Sequence, residues 1–236
     1  MDNKLYGKTI IWDGDSICGG GIGRGNWARR IADRNSMICK NYAIGGGTIA
    51  QGYPLPPSGN PRHSISLTLD KMYEEYPDAD YIILEGGTND ADLICDGRSD
   101  NVALGDFDLW DFSGNYDRET FCGALESIFF RAVNYWAGKK IGFIIAQKMG
   151  PVPEHMVRRR FYFDKAVEIS RKWGIPYIDL WNGCYLNPLL ESMYDSSKAP
   201  EENTEENKCF YTDGQHLTSR GYDFTSEILE AWIRTL

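Results

Sequence analysis

The sequence predicts a three-layer α/β/α fold built on a five-stranded parallel sheet. Two features indicate it: short apolar runs recur along the chain, and segments with the spacing of amphipathic helices separate them. Continuous apolar strands joined by helical crossovers are typical of a parallel sheet that helices cover on both faces. A chain of 236 residues, 42% of them hydrophobic, can bury one sizeable core. We therefore expect a single domain over residues 1–236.

The predicted strands are the short apolar runs at residues 8–12, 37–43, 81–84, 141–146 and 177–180. The clearest helix covers residues 121–136, where apolar side chains recur three or four positions apart along one face. Weaker helical patterns cover residues 26–33, 65–76, 155–173 and 219–236, and Thr218 or Ser219 can cap the last of these. Five β units with helices between them form a flavodoxin-like arrangement.

Two stretches fit neither pattern and are predicted to be irregular insertions, at residues 91–116 and 195–207. Loops of this length are usually functional or mobile. In open parallel sheets, ligands bind beyond the carboxyl ends of the strands, so a site is expected among the residues that follow each strand.

Composition narrows the classes of partner. A formal net charge of −9 argues against nucleic acid or an anionic membrane, because clustered Lys and Arg hold such polyanions. The one basic run, Arg158, Arg159 and Arg160, lies in a predicted helix and is interpreted as a solvated face. Six dispersed cysteines without a C-x-x-C pair favour reduced thiols over a zinc site or a disulfide scaffold.

The N-terminus lacks the apolar stretch of a signal peptide, and no window approaches the ~18 apolar residues of a membrane span. We therefore expect a cytoplasmic protein without membrane insertion, although a chain whose signal peptide had been removed would read the same. The sequence indicates no oligomeric state.

Three places that follow predicted strands carry residues of chemical interest. After the first strand, Gly14 permits a tight turn that can present the Ser16 hydroxyl, although a serine there is more often a turn or cap residue. After the second, the N–H of Gly46 can approach a substrate oxygen, and a flexible turn explains this glycine equally well. After the third, the side chain of Asn89 can donate to the same oxygen or form an Asx-turn.

Asp213 and His216 lie three apart in a turn before the last helix. This spacing can bring a carboxylate to one imidazole nitrogen, so that the other nitrogen faces a serine. The two other histidines, His63 and His155, have no adjoining acid in a comparable turn. His216 is therefore the best candidate for a base.

Four blocks of the sequence resemble those of the SGNH (GDSL-like) hydrolase family and occur in the family's order. They are Gly14-Asp15-Ser16, the Gly46 turn, Gly87-Thr88-Asn89-Asp90 and Asp213-x-x-His216. Together they are specific, and they span nearly the whole chain. The resemblance implies a serine ester hydrolase with Ser16 as nucleophile, His216 as base and Asp213 orienting that base. It also implies an oxyanion held by the N–H groups of Ser16 and Gly46 and by the Asn89 side chain, without a metal or cofactor.

Three features depart from the family pattern. Asp13 stands where the family more often has a small or apolar residue, Leu217 follows the histidine where proline is common, and residues 19–25 are unusually rich in glycine. Asp13 can perturb the charge near Ser16, whereas the other two features affect rigidity more than chemistry. None of them removes an atom that the mechanism needs.

The expected substrate is a short acyl ester, acetyl above all, of a carbohydrate or another small polar alcohol. The insertion after Asn89 supplies aromatic residues amid acidic ones, a mixture suited to sugar rings, although these aromatics can equally anchor the loop: Phe107, Trp110, Phe112 and Tyr116. This insertion lacks the continuous apolar lid that a long-chain lipase needs. A lysophospholipase or thioesterase that acts on longer acyl chains is therefore kept as the alternative to a short-chain esterase.

Two further alternatives lie outside ester hydrolysis. The pattern Gly45-x-Gly47-x-x-Ala50 resembles a dinucleotide-binding turn with Asp70 about 20 residues further on, but it follows the second strand and not the first. A catalytically silent glycan-binding protein on the same fold would use the many aromatic residues. The four intact blocks argue against both.

Overall fold

The computed structural model describes residues 3–20, 25–55, 58–93, 101–150, 152–204, 206–207 and 209–236. Five strands form one sheet: β1 (Thr9–Asp13), β2 (Ile38–Asn41), β5 (Tyr81–Glu85), β6 (Lys140–Ile145) and β7 (Tyr177–Asp179). A short antiparallel pair, β3 (Pro54–Leu55) and β4 (Asn60–Pro61), lies apart from it. All neighbours in the five-stranded sheet are parallel, in the order β2-β1-β5-β6-β7.

Helices connect the strands and cover the sheet. Their bounds are α1 (Ser16–Gly19), α2 (Trp27–Asn35), α3 (Ile65–Glu75), α4 (Thr88–Ala91), α5 (Phe121–Tyr135), α6 (Pro153–Trp173), α7 (Leu180–Gly183) and α8 (Ser219–Ile233). Helix α2 packs against α8, whereas α5 packs against α3 and α6. Because the chain runs from β1 to β2 in one direction and from β2 to β5 in the other, right-handed crossovers place these two groups on opposite faces.

Burial follows position in the sheet. Every residue of β5 is buried, and β1 and β6 are buried after their first residue, whereas the edge strands β2 and β7 are partly exposed. Central strands covered on both faces must be apolar throughout, which explains the continuous runs in the sequence. The strand order reverses beside β1, so a crevice is expected at the carboxyl ends of β1 and β5.

The predicted fold class is confirmed. Each strand of the sheet lies within two residues of its predicted bounds, and α8 begins at Ser219 with Thr218 as its N-cap. The last helix ends at Ile233 and not at residue 236. The pair β3–β4 and the one-turn helices α1, α4 and α7 were not predicted, because elements of two to four residues carry too little periodicity.

Beyond Leu93, the described residues of the first irregular stretch contain no helix or strand. Those of the second contain none either, and they are part of a longer irregular segment from Cys184 to Thr218. Residues 94–100, with Cys95, and residues 21–24 of the glycine-rich run lie outside the described residues. Within the described part of the chain, no helix has the length and apolar character needed to cross a membrane.

Candidate active site

Ser16 begins α1 on a tight turn at the carboxyl end of β1. Asp15 caps this helix, its Oδ1 accepting a hydrogen bond from the Ile17 N–H at 2.8 Å. A Cβ on Gly14 would lie 2.7 Å from Cβ of Cys18 and 2.8 Å from Oε2 of Glu85. Only glycine therefore allows the chain to turn this closely over β5 and present Ser16.

His216 reaches Ser16 from the far end of the chain. Its Nε2 lies 2.9 Å from Oγ of Ser16, and its Nδ1 lies 2.7 Å from Oδ2 of Asp213. The other Asp213 oxygen accepts the backbone N–H groups of Gln215 at 2.9 Å and His216 at 2.7 Å. Burial raises the pKa of Asp213, but these bonds and the His216 ring outweigh it and lower that pKa to about 2. The carboxylate is therefore ionised at neutral pH.

The Gly46 turn lies beside Ser16. A Cβ built on Gly45 would stand 3.7 Å from Cβ of Ser16. Gly46 has a φ of +77°, which favours glycine, and its carbonyl accepts a hydrogen bond from Nη1 of Arg62 at 2.6 Å. Within the described residues, the backbone N–H groups of Ser16 and Gly46 donate to no protein acceptor. Two donors are thus available on either side of the serine hydroxyl.

Asn89 lies in α4, directly after β5, and its Nδ2 already has two acceptors. It donates to the carbonyl of Gly47 at 2.8 Å and to Oδ2 of Asp15 at 3.3 Å. The residue is only 8% exposed. The structure therefore brings Asn89 to the Ser16 turn and the Gly46 turn, with both amide hydrogens engaged.

Asp15 and Glu85 form a carboxyl pair below Ser16, and both are fully buried. Oε2 of Glu85 accepts the Asp15 N–H at 3.2 Å. Burial raises the pKa of both groups, and the neighbouring Asp15 charge raises the pKa of Glu85 further. Since the Ile17 N–H and the nearby His216 favour a charged Asp15, we assign the proton of the pair to Glu85. No local pattern in the sequence reveals this pair, because Glu85 follows an apolar run and has the position of a strand end.

No protein-family model and no curated protein matches the chain by sequence. Solved structures do match it in three dimensions. A protein from Lactobacillus plantarum shares 19% identity and a TM-score of 0.73, with 98% of each chain covered. A candidate GDSL-like lipase from Bacteroides ovatus shares 17% identity and a TM-score of 0.60, over 98% of this chain and 100% of that one. A carbohydrate acetylesterase from Sinorhizobium meliloti shares 11% identity and a TM-score of 0.61, over 97% and 99%.

The chain has the SGNH hydrolase fold. The four blocks that resemble this family lie where the fold brings strand ends together: two blocks follow β1 and β2, one follows β5, and the last precedes α8. Their side chains meet at one edge of the sheet although they are up to 200 residues apart in sequence.

The other two histidines also have carboxylate partners, which local spacing could not show. Nε2 of His63 lies 2.8 Å from Oδ1 of Asp13, and Nδ1 of His155 lies 3.2 Å from Oδ2 of Asp92. Both acids come from distant parts of the chain. His216 is nevertheless the histidine in contact with the Ser16 hydroxyl.

The interpretation of the basic run as a solvated face is wrong for Arg159. This residue is only 1% exposed and forms an ion pair with Asp92, whereas the side chains of Arg158 and Arg160 are 28% and 39% exposed. In α6 the three residues point in different directions, about 100° apart, so a run of like charges need not share one face.

The geometry of the Gly45–Ala50 turn does not support the dinucleotide-binding alternative. A dinucleotide turn opens a helix whose free N–H groups face the phosphates. Here the first helix after the turn in the described part of the chain is α3, which begins at Ile65, and the N–H groups of Ile49 and Ala50 donate to the Asp90 carboxylate at 2.9 and 3.0 Å. The glycine-rich turn therefore faces Ser16 and has no phosphate-binding helix behind it.

Two aromatic residues of the first irregular stretch, Phe112 and Tyr116, anchor it on α6. Phe112 and Tyr116 pack edge to face against Trp173, with ring centroids 5.1 and 6.3 Å apart. Trp173 ends α6 just before β7, so this cluster lies toward the amino edge of the sheet, opposite Ser16. Among the described residues, no group of three or more His, Cys, Asp or Glu side chains is arranged to hold a metal ion.

Proposed function

We propose that this chain is a carboxylic ester hydrolase of the SGNH type, with Ser16 as nucleophile, His216 as general base and Asp213 orienting the imidazole. The observation that carries this proposal is the unbroken contact from Asp213 through His216 to Ser16, at 2.7 and 2.9 Å. Serine at its ordinary pKa is a weak nucleophile and needs an adjacent base of this kind. The ionised Asp213 favours the tautomer in which Nδ1 carries the proton and Nε2 accepts one.

The reaction proceeds through an acyl-enzyme. Oγ of Ser16 bonds to the ester carbonyl carbon while His216 takes the hydroxyl proton, and the carbonyl oxygen becomes an oxyanion. His216 returns that proton to the alkoxide oxygen as the carbon–oxygen bond to the alcohol breaks. Water then attacks the acyl carbon and gives a proton to His216, and Ser16 recovers it when the carboxylic acid leaves.

The proposed oxyanion site consists of the Ser16 and Gly46 N–H groups and the Asn89 amide. The two backbone donors are available without rearrangement, which is the condition for strong electrostatic stabilisation of a transition state. To donate to the oxyanion, Asn89 must give up one of the two hydrogen bonds that its amide already donates. The bond to Asp15 at 3.3 Å is the longer and weaker of the two. The bond to the Gly47 carbonyl keeps the amide beside the Gly46 turn during this exchange.

We propose a short acyl group, acetyl above all, on a carbohydrate or another small polar alcohol. One protein of the same fold is a carbohydrate acetylesterase. A long acyl chain requires an enclosed apolar channel beside the serine. Described residues form pockets of about 300, 570 and 280 Å³ elsewhere in the molecule, and none of these three is lined by Ser16, Asn89 or His216. The observation that supports a small acyl group is therefore the acetylesterase of the same fold.

Hydrolysis of p-nitrophenyl acetate tests the activity. Ser16→Ala removes the nucleophile, so kcat should fall by ~10⁴-fold or more while folding is retained. Ser113→Ala, at an exposed serine outside the site, is the matched control and should leave turnover unchanged. Equal turnover by Ser16→Ala and the wild type would refute the mechanism.

The acyl preference requires a second experiment. A panel of p-nitrophenyl esters from acetate to palmitate should show kcat/KM highest for acetate, and acetylated xylan should release acetate. Highest kcat/KM at eight carbons or more would exclude the acetyl proposal and favour a lysophospholipase or thioesterase that uses the same residues.

A further inference from the structure

Arg159 connects two parts of the candidate site and lies in neither. It belongs to the middle of the basic run on α6, and its side chain is 1% exposed. A buried guanidinium is costly unless acceptors surround it. One acceptor directly follows α4, which carries Asn89, and the other lies in the loop that carries Asp213 and His216.

The first acceptor is Asp92, the residue that follows α4. Nη2 of Arg159 lies 3.1 Å from Oδ2 of this carboxylate. Arg158 contacts the other oxygen at 3.0 Å, and Nδ1 of His155 lies 3.2 Å from Oδ2. Asp92 is 2% exposed, so these groups hold a buried charge directly beyond the helix that positions Asn89.

The second acceptor is Gln215, which stands between Asp213 and His216 in the chain. The same Nη2 of Arg159 lies 2.7 Å from Oε1 of Gln215. The backbone N–H of Gln215 donates to Asp213 at 2.9 Å, so Gln215 is joined to the orienting carboxylate as well. One nitrogen of Arg159 thus contacts both parts of the site.

Gly150 allows this arrangement. Its N–H donates to the carbonyl of Gly214 at 2.9 Å, which brings the segment after β6 against the same loop. It has a φ of +113°, and a Cβ there would lie 3.1 Å from Nη1 of Arg159 and 2.9 Å from Cβ of His155. A side chain at this position would push Arg159 away from the loop.

We propose that Arg159 is a positioning residue, which sets the distance between the Asn89 donor and the Asp213–His216 pair by binding Asp92 and Gln215 at once. This inference rests on the proposed ester hydrolysis. Acyl transfer requires the base and the oxyanion donors to face one carbonyl group together, and a displacement of about 1 Å can cost ~100-fold in rate. The planar guanidinium presents several donors in fixed directions, which a lysine ammonium cannot do.

Kinetics of two neighbouring variants test the proposal. Arg158 has the same helix and the same carboxylate partner as Arg159 but no bond to Gln215, so Arg158→Met is the matched control. We expect Arg159→Met to lower kcat for p-nitrophenyl acetate by about 10- to 100-fold with KM changed less than about twofold, and Arg158→Met to change kcat less than about threefold. Equal losses in the two variants, with both folded by circular dichroism, would overturn the proposal.

Gln215→Ala covers the case in which Arg159→Met does not fold. It leaves the buried Asp92–Arg159 pair intact and removes only the contact with the loop. We expect kcat to fall by about 10-fold, and Gln215→Glu, which keeps an acceptor for the guanidinium, to recover most of that loss. Unchanged kcat in Gln215→Ala would overturn the proposal.

Proton NMR gives a readout that does not depend on turnover. The proton between Nδ1 of His216 and Asp213 should give a downfield signal in the wild type and in Arg158→Met. This signal should broaden or disappear in Gln215→Ala, because the loop that aligns the two groups is released. A wild type without esterase activity would refute the proposed function, whereas an unchanged signal in Gln215→Ala would refute the positioning role of Arg159.

Discussion

Asp13 and His63 lie 50 residues apart in the chain but contact each other, with Nε2 of His63 2.8 Å from Oδ1 of Asp13. Burial raises the pKa of Asp13, and the contact with His63 opposes that rise. His63 also packs behind the glycine-rich turn, since a Cβ on Gly47 would lie 2.9 Å from its ring. The residue that departs from the family pattern therefore has its own side-chain partner, contributed by a distant part of the chain.

Asp213 provides a pH prediction at the residue scale. Its pKa is about 2 in the folded protein, below the value of ~3.9 expected in the unfolded chain. A lowered folded pKa contributes stability that is present above pH ~4 and is lost as the pH falls toward 2. The difference in free energy of unfolding between the wild type and Asp213→Asn should therefore be smaller at pH 3 than at pH 5.

Urea unfolding followed by circular dichroism at the two pH values measures that difference. Asp108→Asn, at an exposed aspartate outside the site, is the control and should show little change between them. A difference for Asp213→Asn that grows between pH 5 and pH 3 would contradict the lowered pKa.

The segment from residue 101 to 120 shows how an irregular element is anchored. Phe112 and Tyr116 pack on Trp173. The hydroxyl of Tyr116 donates to the Asp111 carbonyl at 2.9 Å, and Nζ of Lys172 donates to the same carbonyl at 2.7 Å. Lys172 also forms a buried ion pair with Glu126 of α5. The segment is therefore attached to α5 and α6 by packing and by hydrogen bonds.

This attachment predicts different effects for two aromatic residues of the segment. Tyr116→Ala should lower the free energy of unfolding by about 1 to 3 kcal/mol, because it removes partly buried ring contacts and a hydrogen bond. Trp110 is 86% exposed, so Trp110→Ala is the matched control and should leave stability nearly unchanged. Neither variant should change KM for p-nitrophenyl acetate or acetylated xylan. A raised KM for acetylated xylan in either variant would indicate that this segment contacts the substrate.

At the scale of the whole molecule, the apolar interior extends to most of the thiols. The described cysteines are all free, and Cys18, Cys122, Cys184 and Cys209 are buried. Burial raises the pKa of Cys39 to about 11 and that of Cys122 to about 12, and it also raises the pKa of Cys18 and Cys184. Since the thiolate is the reactive form, these groups are protected by protonation as well as by access.

Alkylation with iodoacetamide at pH 8 tests this protection. In the native protein Cys18, Cys39, Cys122 and Cys184 should be labelled slowly, because a thiol of pKa about 11 is only ~0.1% thiolate at that pH. The same cysteines in urea-unfolded protein are the internal control and should be labelled quickly, as mass spectrometry of the peptides will show. Fast labelling of Cys122 in the native state would contradict the packed interior.

The sequence by itself determined the fold class, the bounds of the main strands and helices, and the residues of the candidate site. It could do so because apolar periodicity reports burial, and because the blocks that contain Ser16, Asn89, Asp213 and His216 together resemble those of the SGNH family. Gly14 could also be recognised from the sequence, because the tight turn before Ser16 requires a residue without a side chain.

Only the tertiary structure decided which distant side chains meet. The pairs Asp13–His63, Asp15–Glu85 and Asp92–Arg159 join residues 50 to 70 positions apart, and no local pattern identifies the two members as partners. The basic run on α6 predicts solvent exposure from its sequence. In the folded protein, however, its middle residue Arg159 is buried against the Asp92 carboxylate and the Gln215 side-chain amide. Local periodicity shows that a position is buried, whereas the partner of a buried polar group depends on how the elements pack.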